Sequence, residues 1–454
     1  MIKTPIQKIK NINENSIYIK RDDLINESFG GNKYRIANEF FNDMKNKKKD
    51  SIIAYGNSRS NLCRVIAYLA NKYSIPCYIV SPNDDDNTRI ETFNSFLVNL
   101  TNAKYIICNK NNVADTIQNL MNNLIKNGYN PYYINGDKYG KGNEKTPVIA
   151  YRKVIDEIKN QAAKSRLHFD YIFLASGTGM TQSGLIAGII EDNLDSKVVG
   201  ISIARKKENQ LSKLNLFLNS YFNTVDEDFI NYISFEDDYL CGGYGKFNDE
   251  IKETIFNCYK ENGIALDPTY TGKAFYGMKK YIEDNGIVNK NILFIHTGGT
   301  PLFFDFINLE QQKQQEIKRV GSFLMRIDKD LPVSLLSRVN IEEYSKKIIE
   351  KAVICKKDDL HKNIISIVAG YLNKEENQAY ITIVGTLKQY RGLGYSKSLL
   401  LEFEEIAKKN NITNIKLSTH IDNIPAQMLY KKNGFIIKSI EGDVIDMVKI
   451  LEDK

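Results

Sequence analysis

The sequence predicts an α/β fold in two lobes, followed by a smaller α+β unit. Three observations carry this. Apolar runs of strand length alternate with helical stretches in two successive series, and such alternation builds parallel sheets. Glycine-rich turns fall directly after several of the runs. Beyond TGGTPLFFDF the alternation gives way to a different pattern.

In the first series SIIAYG (51–56), CYIVS (77–81), KYIICN (from 104) and YYING (132–136) read as strands. Between the first two, Leu62, Val65, Ile66, Leu69, Ala70 and Tyr73 repeat at helical spacing. A second series follows with YIFLAS (171–176), KVVGISIA (197–204) and ILFIHTGG (292–299). The two groups imply two lobes within residues 1–307, the small one at about 50–145 inserted into the large one. Residues 308–320 (NLEQQKQQEIKRV) are polar without an apolar stripe and read as a linker. The unit 321–454 is expected to run strand, helix, strands, glycine-rich turn, helix, strand, helix, strand.

The 454 residues suggest two or three domains, and 42% hydrophobic with 26% charged residues is the mix of a globular protein. No apolar run approaches the roughly 18 residues of a membrane span. The N-terminus lacks an apolar signal region, so the expected compartment is the cytoplasm. Net charge is +7, from 62 basic and 55 acidic residues spread along the chain. The runs KNKKK before Asp50 and DDD at 84–86 read as solvated loops. With no basic stripe interleaved with aromatics, nucleic acid is not an expected partner. Cys63, Cys77, Cys108, Cys241, Cys258 and Cys355 form no CxxC pair and read as free, mostly buried thiols. His168, His296, His361 and His420 lack metal-ligand spacing, so no metal site is expected.

Three stretches near strand ends carry ligand-grasping groups: Lys33 in SFGGNKYR, Ser60 and Asn61 in GNSRSN, and SGTGMTQSG at 176–184. Ligands of open α/β sheets collect at such ends. The glycines of the last stretch present backbone N–H groups at the start of an apolar helix, a ready anion site. It does not fit GxxxxGK[ST]. A lysine beside a phosphate cradle suits pyridoxal phosphate, which needs an amine to form an imine and a nest for its phosphate. The amine must be deprotonated to attack, and burial or a neighbouring cation such as Arg35 would favour that. Alone, Lys33 reads as a surface salt-bridge lysine and the glycine turn as a weak signal.

Taken together, KRDDL, FGGNKYR, GNSRSN, ASGTGMTQSGL, GGYGKFNDE, LDPTYTGKAFYGM and FIHTGGTP make residues 1–305 resemble the D-cysteine desulfhydrase and aminocyclopropane-carboxylate deaminase family. These are pyridoxal-phosphate enzymes of the tryptophan-synthase-β type. The resemblance implies Lys33 as the Schiff-base lysine and Asn61 as the contact to the ring hydroxyl. It implies Gly177, Thr178, Gly179, Met180 and Thr181 as the phosphate loop. Ser60 would grip the substrate carboxylate, and Tyr244 and Tyr270 would border the substrate and assist proton transfer. Where the ring-opening deaminases have glutamate after the tyrosine, this chain has Thr271. A hydroxyl from Thr271 or Thr297 at the ring nitrogen makes a weaker electron sink than a carboxylate would. That favours β-elimination from D-cysteine or a β-substituted alanine over ring opening. Arg59 stands where the family commonly has glutamine, which leaves the choice of amino acid open.

In the last unit, VGTLKQYRGLGYSKSLL and NIPAQMLYKKNGF resemble the Gcn5-related N-acetyltransferase (GNAT) family. The resemblance implies Arg391, Gly392, Leu393, Gly394, Tyr395 and Ser396, with Gln389 ahead of them, as the acetyl-CoA pyrophosphate loop. Asn423 would contact the pantetheine arm, and Tyr430 would protonate the departing thiolate. The family's strand splay would fall near Val384 and Gly385, and no general base is evident. The expectation is a bifunctional enzyme, a pyridoxal-phosphate lyase fused to an acetyltransferase. Its partners are a small amino acid, acetyl-CoA and an acceptor amine of open identity, with no membrane; a homodimer is allowed. Two alternatives stand beside it. The first unit is a racemase or β-replacement enzyme whose amino product the second acetylates, or one unit is a degenerate binding module.

Overall fold

The structure, a computed structural model, describes residues 2–83, 90–224 and 228–451. The DDD run at 84–86 lies outside the described residues. The chain divides into two compact units, Met1–Ile307 and Asn308–Lys454.

The first unit opens with β1 (Ile6–Lys8), β2 (Ser16–Arg21) and helix α1 (Asn32–Asn46). Next come β3 (Ser51–Tyr55), α2 (Asn61–Lys72), β4 (Cys77–Pro82), α3 (Phe93–Asn99), β5 (Lys104–Cys108), α4 (Val113–Lys126) and β6 (Pro131–Tyr133). Their four strands form one parallel sheet in the order β5-β4-β3-β6. Helix α5 (Lys145–Lys164) leads to β7 (Tyr171–Ser176), α6 (Met180–Glu191), β8 (Lys197–Ser202), α7 (Lys207–Phe222), β9 (Ser234–Glu236), α8 (Asp249–Asn262), α9 (Thr271–Asp284) and β10 (Asn291–His296). The second sheet has the order β1-β2-β10-β7-β8-β9. The smaller sheet is thus inserted in sequence between strands of the larger. The strand runs and the helix at 61–73 fall where hydrophobic periodicity places them. The alternation of side chains splits the core of the large sheet in two. Ile17, Ile19 and Phe173 face one cluster, while Tyr18, Ile172 and Leu174 face the other.

Strand β2 was not expected, because Lys20 interrupts its apolar pattern. Lys20 is fully buried yet donates to Glu157 Oε1 at 2.6 Å and to the Thr4 carbonyl at 2.6 Å. Helices α5 and α6 meet closely at two glycines. A Cβ at Gly184 would lie 2.6 Å from the Val148 carbonyl oxygen, and one at Gly188 would lie 2.6 Å from Ile155 Cγ1. That contact seats the glycine turn ahead of α6 against the sheet.

Residues 308–320 are helical, part of α10 (Thr300–Asp328). The apolar stripe missing from the linker reading begins at Ile317 and continues through Val320, Phe323, Leu324 and Ile327, all buried. The same stripe explains why no strand opens the second unit. That unit continues with α11 (Ile341–Lys351), β11 (Val353–Asp358), β12 (Ile364–Asn373), β13 (Gln378–Thr386), α12 (Tyr395–Lys409), β14 (Asn414–His420), α13 (Ile424–Lys432), β15 (Ile436–Glu441) and β16 (Val444–Ile450). Its sheet runs β11-β12-β13-β14-β16-β15. The parallel pair β13 and β14 is joined from Gln378↔Asn414 to Ile381↔Leu417 and parts beyond. All six cysteines are free thiols, and four are buried. No helix among the described residues is long and apolar enough to cross a membrane.

Candidate active sites

A cavity of about 660 Å³ opens in the first unit at the carboxyl ends of its strands. It brings together Lys33, Ser60, Asn61, Gly177, Thr178, Tyr244, Tyr270 and Thr297 from stretches far apart in sequence. Lys33 sits in the first turn of α1, behind Gly30 (φ 58°) and Gly31 (φ 90°). A Cβ on Gly31 would meet the Thr297 carbonyl oxygen at 2.6 Å, so glycine is what lets this turn close against the loop after β10. Lys33 is half-buried and makes no hydrogen bond or ion pair among the described residues. Loss of hydration brings its pKa down to about 8. Arg35 takes no part in this: its guanidinium pairs with Asp22 at 2.9 Å and Glu157 at 3.0 Å. Burial alone replaces the neighbouring cation expected from the sequence.

Ser60 is the N-cap of α2, where its Oγ accepts from Cys63 N. Its O–H hydrogen therefore stays available beside the positive end of that helix. Asn61 is held from behind. Its Oδ1 accepts from Asn94 Nδ2 at 3.0 Å and from buried Arg64 at 3.4 Å. That leaves the Asn61 amide N–H₂ as the group to offer. The Tyr244 and Tyr270 hydroxyls share a 2.6 Å hydrogen bond. Burial raises the Tyr244 pKa to about 12 and that of Tyr270 further, so both phenols are neutral at ordinary pH.

Four expected residues do not line this cavity. Gly179 caps α6 in a left-handed conformation (φ 89°), and Met180 and Thr181 begin that helix, with the Thr181 hydroxyl accepting from Asn32 Nδ2 at 2.8 Å. Thr271 is fully buried, its Oγ1 accepting from Asp267 N and donating to Asp267 Oδ2, each at 2.8 Å. Its hydroxyl is engaged by the start of α9, so of Thr271 and Thr297 it is Thr297 that lines the cavity.

The structure adds residues that the sequence reading missed. Arg205, just beyond β8, lines the cavity with Arg59, Lys110 and Lys246. Its place after a strand end was the available signal. Among the described residues no Asp or Glu lines the cavity. Lys273 is fully buried and donates to the carbonyls of Leu240 (2.7 Å) and Gly243 (2.6 Å). It clamps the loop that carries Tyr244. Gly242, Gly243 and Gly245 all have positive φ there, and the turn so formed aims its carbonyls at the ammonium.

In the second unit a cavity of about 420 Å³ is lined by Arg391, Gly392, Gly394, Tyr395, Ser396, Asn423 and Tyr430, with Val384 and Gly385. Gly394 caps α12 at φ 80°, which turns the first N–H groups of the helix outward. Arg391 is ion-paired with Asp330 at 2.7 Å. Asn423 is the N-cap of α13. Tyr430 is buried with its pKa raised by burial, and its hydroxyl has no partner among the described residues. Gln389 and Leu393 do not line this cavity; both are exposed.

Residues 1–298 match the family described as pyridoxal-phosphate dependent enzymes, and residues 330–435 match the acetyltransferase (GNAT) family. The chain belongs to the pyridoxal-phosphate-dependent enzymes. It carries a GNAT domain as its second unit. D-cysteine desulfhydrase of Serratia proteamaculans (strain 568) is 30% identical over 316 residues, covering 67% of this chain and 93% of that protein. D-cysteine desulfhydrase of Yersinia pestis (strain Pestoides F) is 29% identical over 312 residues, with the same shares covered. A crystal structure of an ACC deaminase homologue matches with a TM-score of 0.59 at 30% identity, covering 68% of this chain and 93% of its own.

The domains imply pyridoxal 5'-phosphate for the first unit and acetyl-CoA for the second. The first cavity suits the cofactor of this enzyme family. It offers Lys33, whose amine has no partner among the described residues, a helix N-terminus behind a glycine turn, and basic side chains for a phosphate. The lowered Lys33 pKa has a measurable consequence. Only the neutral amine attacks an aldehyde, so the rate at which cofactor-free enzyme takes up pyridoxal phosphate rises as pH passes through about 8. Stopped-flow absorbance reads this directly. A midpoint near the ordinary lysine value of about 10.4 would contradict the burial.

Proposed function

We propose that the chain is bifunctional: β-elimination with deamination of a small amino acid in the first unit, in the manner of D-cysteine desulfhydrase, and acetyl-CoA-dependent N-acetylation in the second. The observation that carries the first activity is a half-buried Lys33 that has no hydrogen-bond or ion-pair partner among the described residues, in a basic cavity that no described Asp or Glu lines.

Bound pyridoxal phosphate supplies an electron sink that acidifies the substrate Cα–H. Lys33 would hold the cofactor, and its amine, brought toward neutrality by burial, would serve as the base for that proton. The N–H groups from Gly177 to Thr181 hold the phosphate, and Arg205 adds charge. Asn61 donates its amide hydrogens to the ring hydroxyl, since its carbonyl oxygen is already engaged. The Ser60 hydroxyl and the start of α2 receive the substrate carboxylate, with Arg59 beside them. Tyr244 and Tyr270, sharing one short hydrogen bond, border the substrate and relay a proton. Thr297, which lines the cavity, would face the ring nitrogen. A hydroxyl there would leave that nitrogen unprotonated, whereas a carboxylate would hold a proton on it. Such a site would suit the loss of a good β leaving group better than the opening of a cyclopropane.

In the second unit the turn from Arg391 to Ser396 and the start of α12 hold the pyrophosphate, with Asn423 along the pantetheine arm. Tyr430, neutral and unpartnered, gives its proton to the leaving thiolate.

Two experiments follow. D-cysteine or β-chloroalanine yields pyruvate and ammonia, while 1-aminocyclopropane-1-carboxylate yields almost no 2-oxobutyrate, both measured as keto acid. Efficient ring opening would overturn the reading of the ring nitrogen. For the second unit, acetyl-CoA raises the melting temperature of the full chain, and Gly392→Asp removes that shift, because a carboxylate repels the pyrophosphate and an L-residue is strained at φ 79°. An equal shift in the variant would exclude this turn as the binding site.

A further inference from the structure

Beside the expected acetyl-CoA cavity lies a smaller one of about 180 Å³. The two share Leu331, Val384, Asn423 and Tyr430. They adjoin where β13 and β14 part beyond Ile381 and Leu417. A molecule in the small cavity therefore reaches the group that Tyr430 serves, and its own chemistry must match the walls it meets.

Those walls have one electrostatic character. Arg338 lines the cavity and makes no ion pair or side-chain hydrogen bond among the described residues. His420 lines it too, and its Nδ1 accepts from the Asp422 N–H at 3.2 Å. That bond puts the ring hydrogen of neutral His420 on Nε2. The Asp422 carboxylate, 3.5 Å from Nδ1, is the alternative partner if the ring is charged, and then Nε2 carries a hydrogen as well. His420 thus offers a donor at Nε2 in either state. Among the described residues no Asp or Glu lines this cavity. A cation and a fixed N–H donor together form a receptor for an anion. The volume of about 180 Å³ suits a small molecule. A polyamine or an aminoglycoside would meet like charge at Arg338.

We propose that the acetyl acceptor of the second unit is a small amine bearing a carboxylate, an amino acid of the class on which the first unit acts. This rests on the reading of the second unit as an acetyltransferase. The carboxylate lies against Arg338 and His420 Nε2, and the amine lies toward Val384 and Tyr430. The ammonium first loses one proton to water, and the neutral amine nitrogen forms the N–C bond to the acetyl carbon, giving up its second proton to solvent as the amide forms. The C–S bond breaks, and the thiolate takes its proton from Tyr430, which recovers one from solvent. The products are an N-acetylamino acid and coenzyme A. Because elimination in the first unit destroys the amine, the two units act on the same pool of amino acids in competing directions.

The test pairs each acceptor with a partner that lacks only the acid. Full-length protein with acetyl-CoA is offered D- and L-alanine, and separately D- and L-alaninamide, and N-acetyl product is measured by mass spectrometry. The acid is preferred in kcat/KM, and Arg338→Ala reduces that preference by about tenfold to a hundredfold, the loss of one charged hydrogen bond. Arg338→Lys restores part of it. The KM for acetyl-CoA separates this effect from general damage, since it does not follow the acid preference. Equal turnover of acid and amide, or an acid preference untouched by Arg338→Ala, would overturn the proposal while leaving the acetyltransferase reading intact. Failure of the protein to bind acetyl-CoA at all would instead overturn that reading, and the proposal with it.

Discussion

Asp22 and Glu157 neutralise Arg35 and Lys20 in a buried cluster, and the position of the reactive lysine depends on it. Asp22 accepts from Arg35, Thr4 and Tyr151. Burial alone would raise its pKa, but the Arg35 guanidinium and these hydrogen bonds hold it below the usual carboxylate range. Glu157 binds Lys20 and Arg35 together. The cluster thereby joins the end of β2, the first turns of α1 and the middle of α5. Removing one member of such a pair strands a buried charge and costs about 3–5 kcal/mol. Lys33 lies two residues before Arg35, so the clamp on Arg35 also sets where the Lys33 amine emerges. Charge satisfied on one side of α1 lets charge remain unsatisfied on the other.

The cavities of the two units use one device with different partners. In each, a glycine in the left-handed region ends a turn and opens a helix: Gly179 before α6 and Gly394 before α12. The N–H groups at each helix start would suit phosphate oxygens. What differs is the group beside the seat. The first cavity has a lysine whose pKa desolvation brings down to about 8. The second has a tyrosine kept protonated by the same physical cause. Burial disfavours the charged form of either group, which yields a nucleophile in one case and an acid in the other.

Much of the fold was legible because periodicity and turn residues agree. The apolar strands and α2 carry single, undisturbed patterns. Strand β2 escaped because Lys20 breaks its alternation, and only Glu157, far away in sequence, explains how a lysine can be buried there. The helical character of 308–320 escaped because its stripe starts at Ile317, near the end of a polar segment. For the candidate sites, the family resemblance pointed to Lys33, Asn61, Tyr244 and Tyr270, which line one cavity. It also pointed to Thr271, whose hydroxyl is engaged by Asp267 in the local turn. It gave no role to Lys273, which stands within LDPTYTGKAFYGM, or to Arg338, which stands in no motif; both matter through what they face. That no Asp or Glu among the described residues lines the first cavity is a fact of three-dimensional assembly that no single stretch of sequence contains.

The central claim is that Lys33 is the one amine in the first cavity that carries the cofactor. Lys246 and Lys110 line the same cavity and are the competing amines. Holoenzyme reduced with borohydride, digested and mapped by mass spectrometry decides between them. The account predicts a single pyridoxyl group on the peptide containing Lys33 and loss of the visible absorbance band. A label on Lys246 or Lys110, or an unlabelled Lys33 peptide from protein saturated with pyridoxal phosphate, would contradict it.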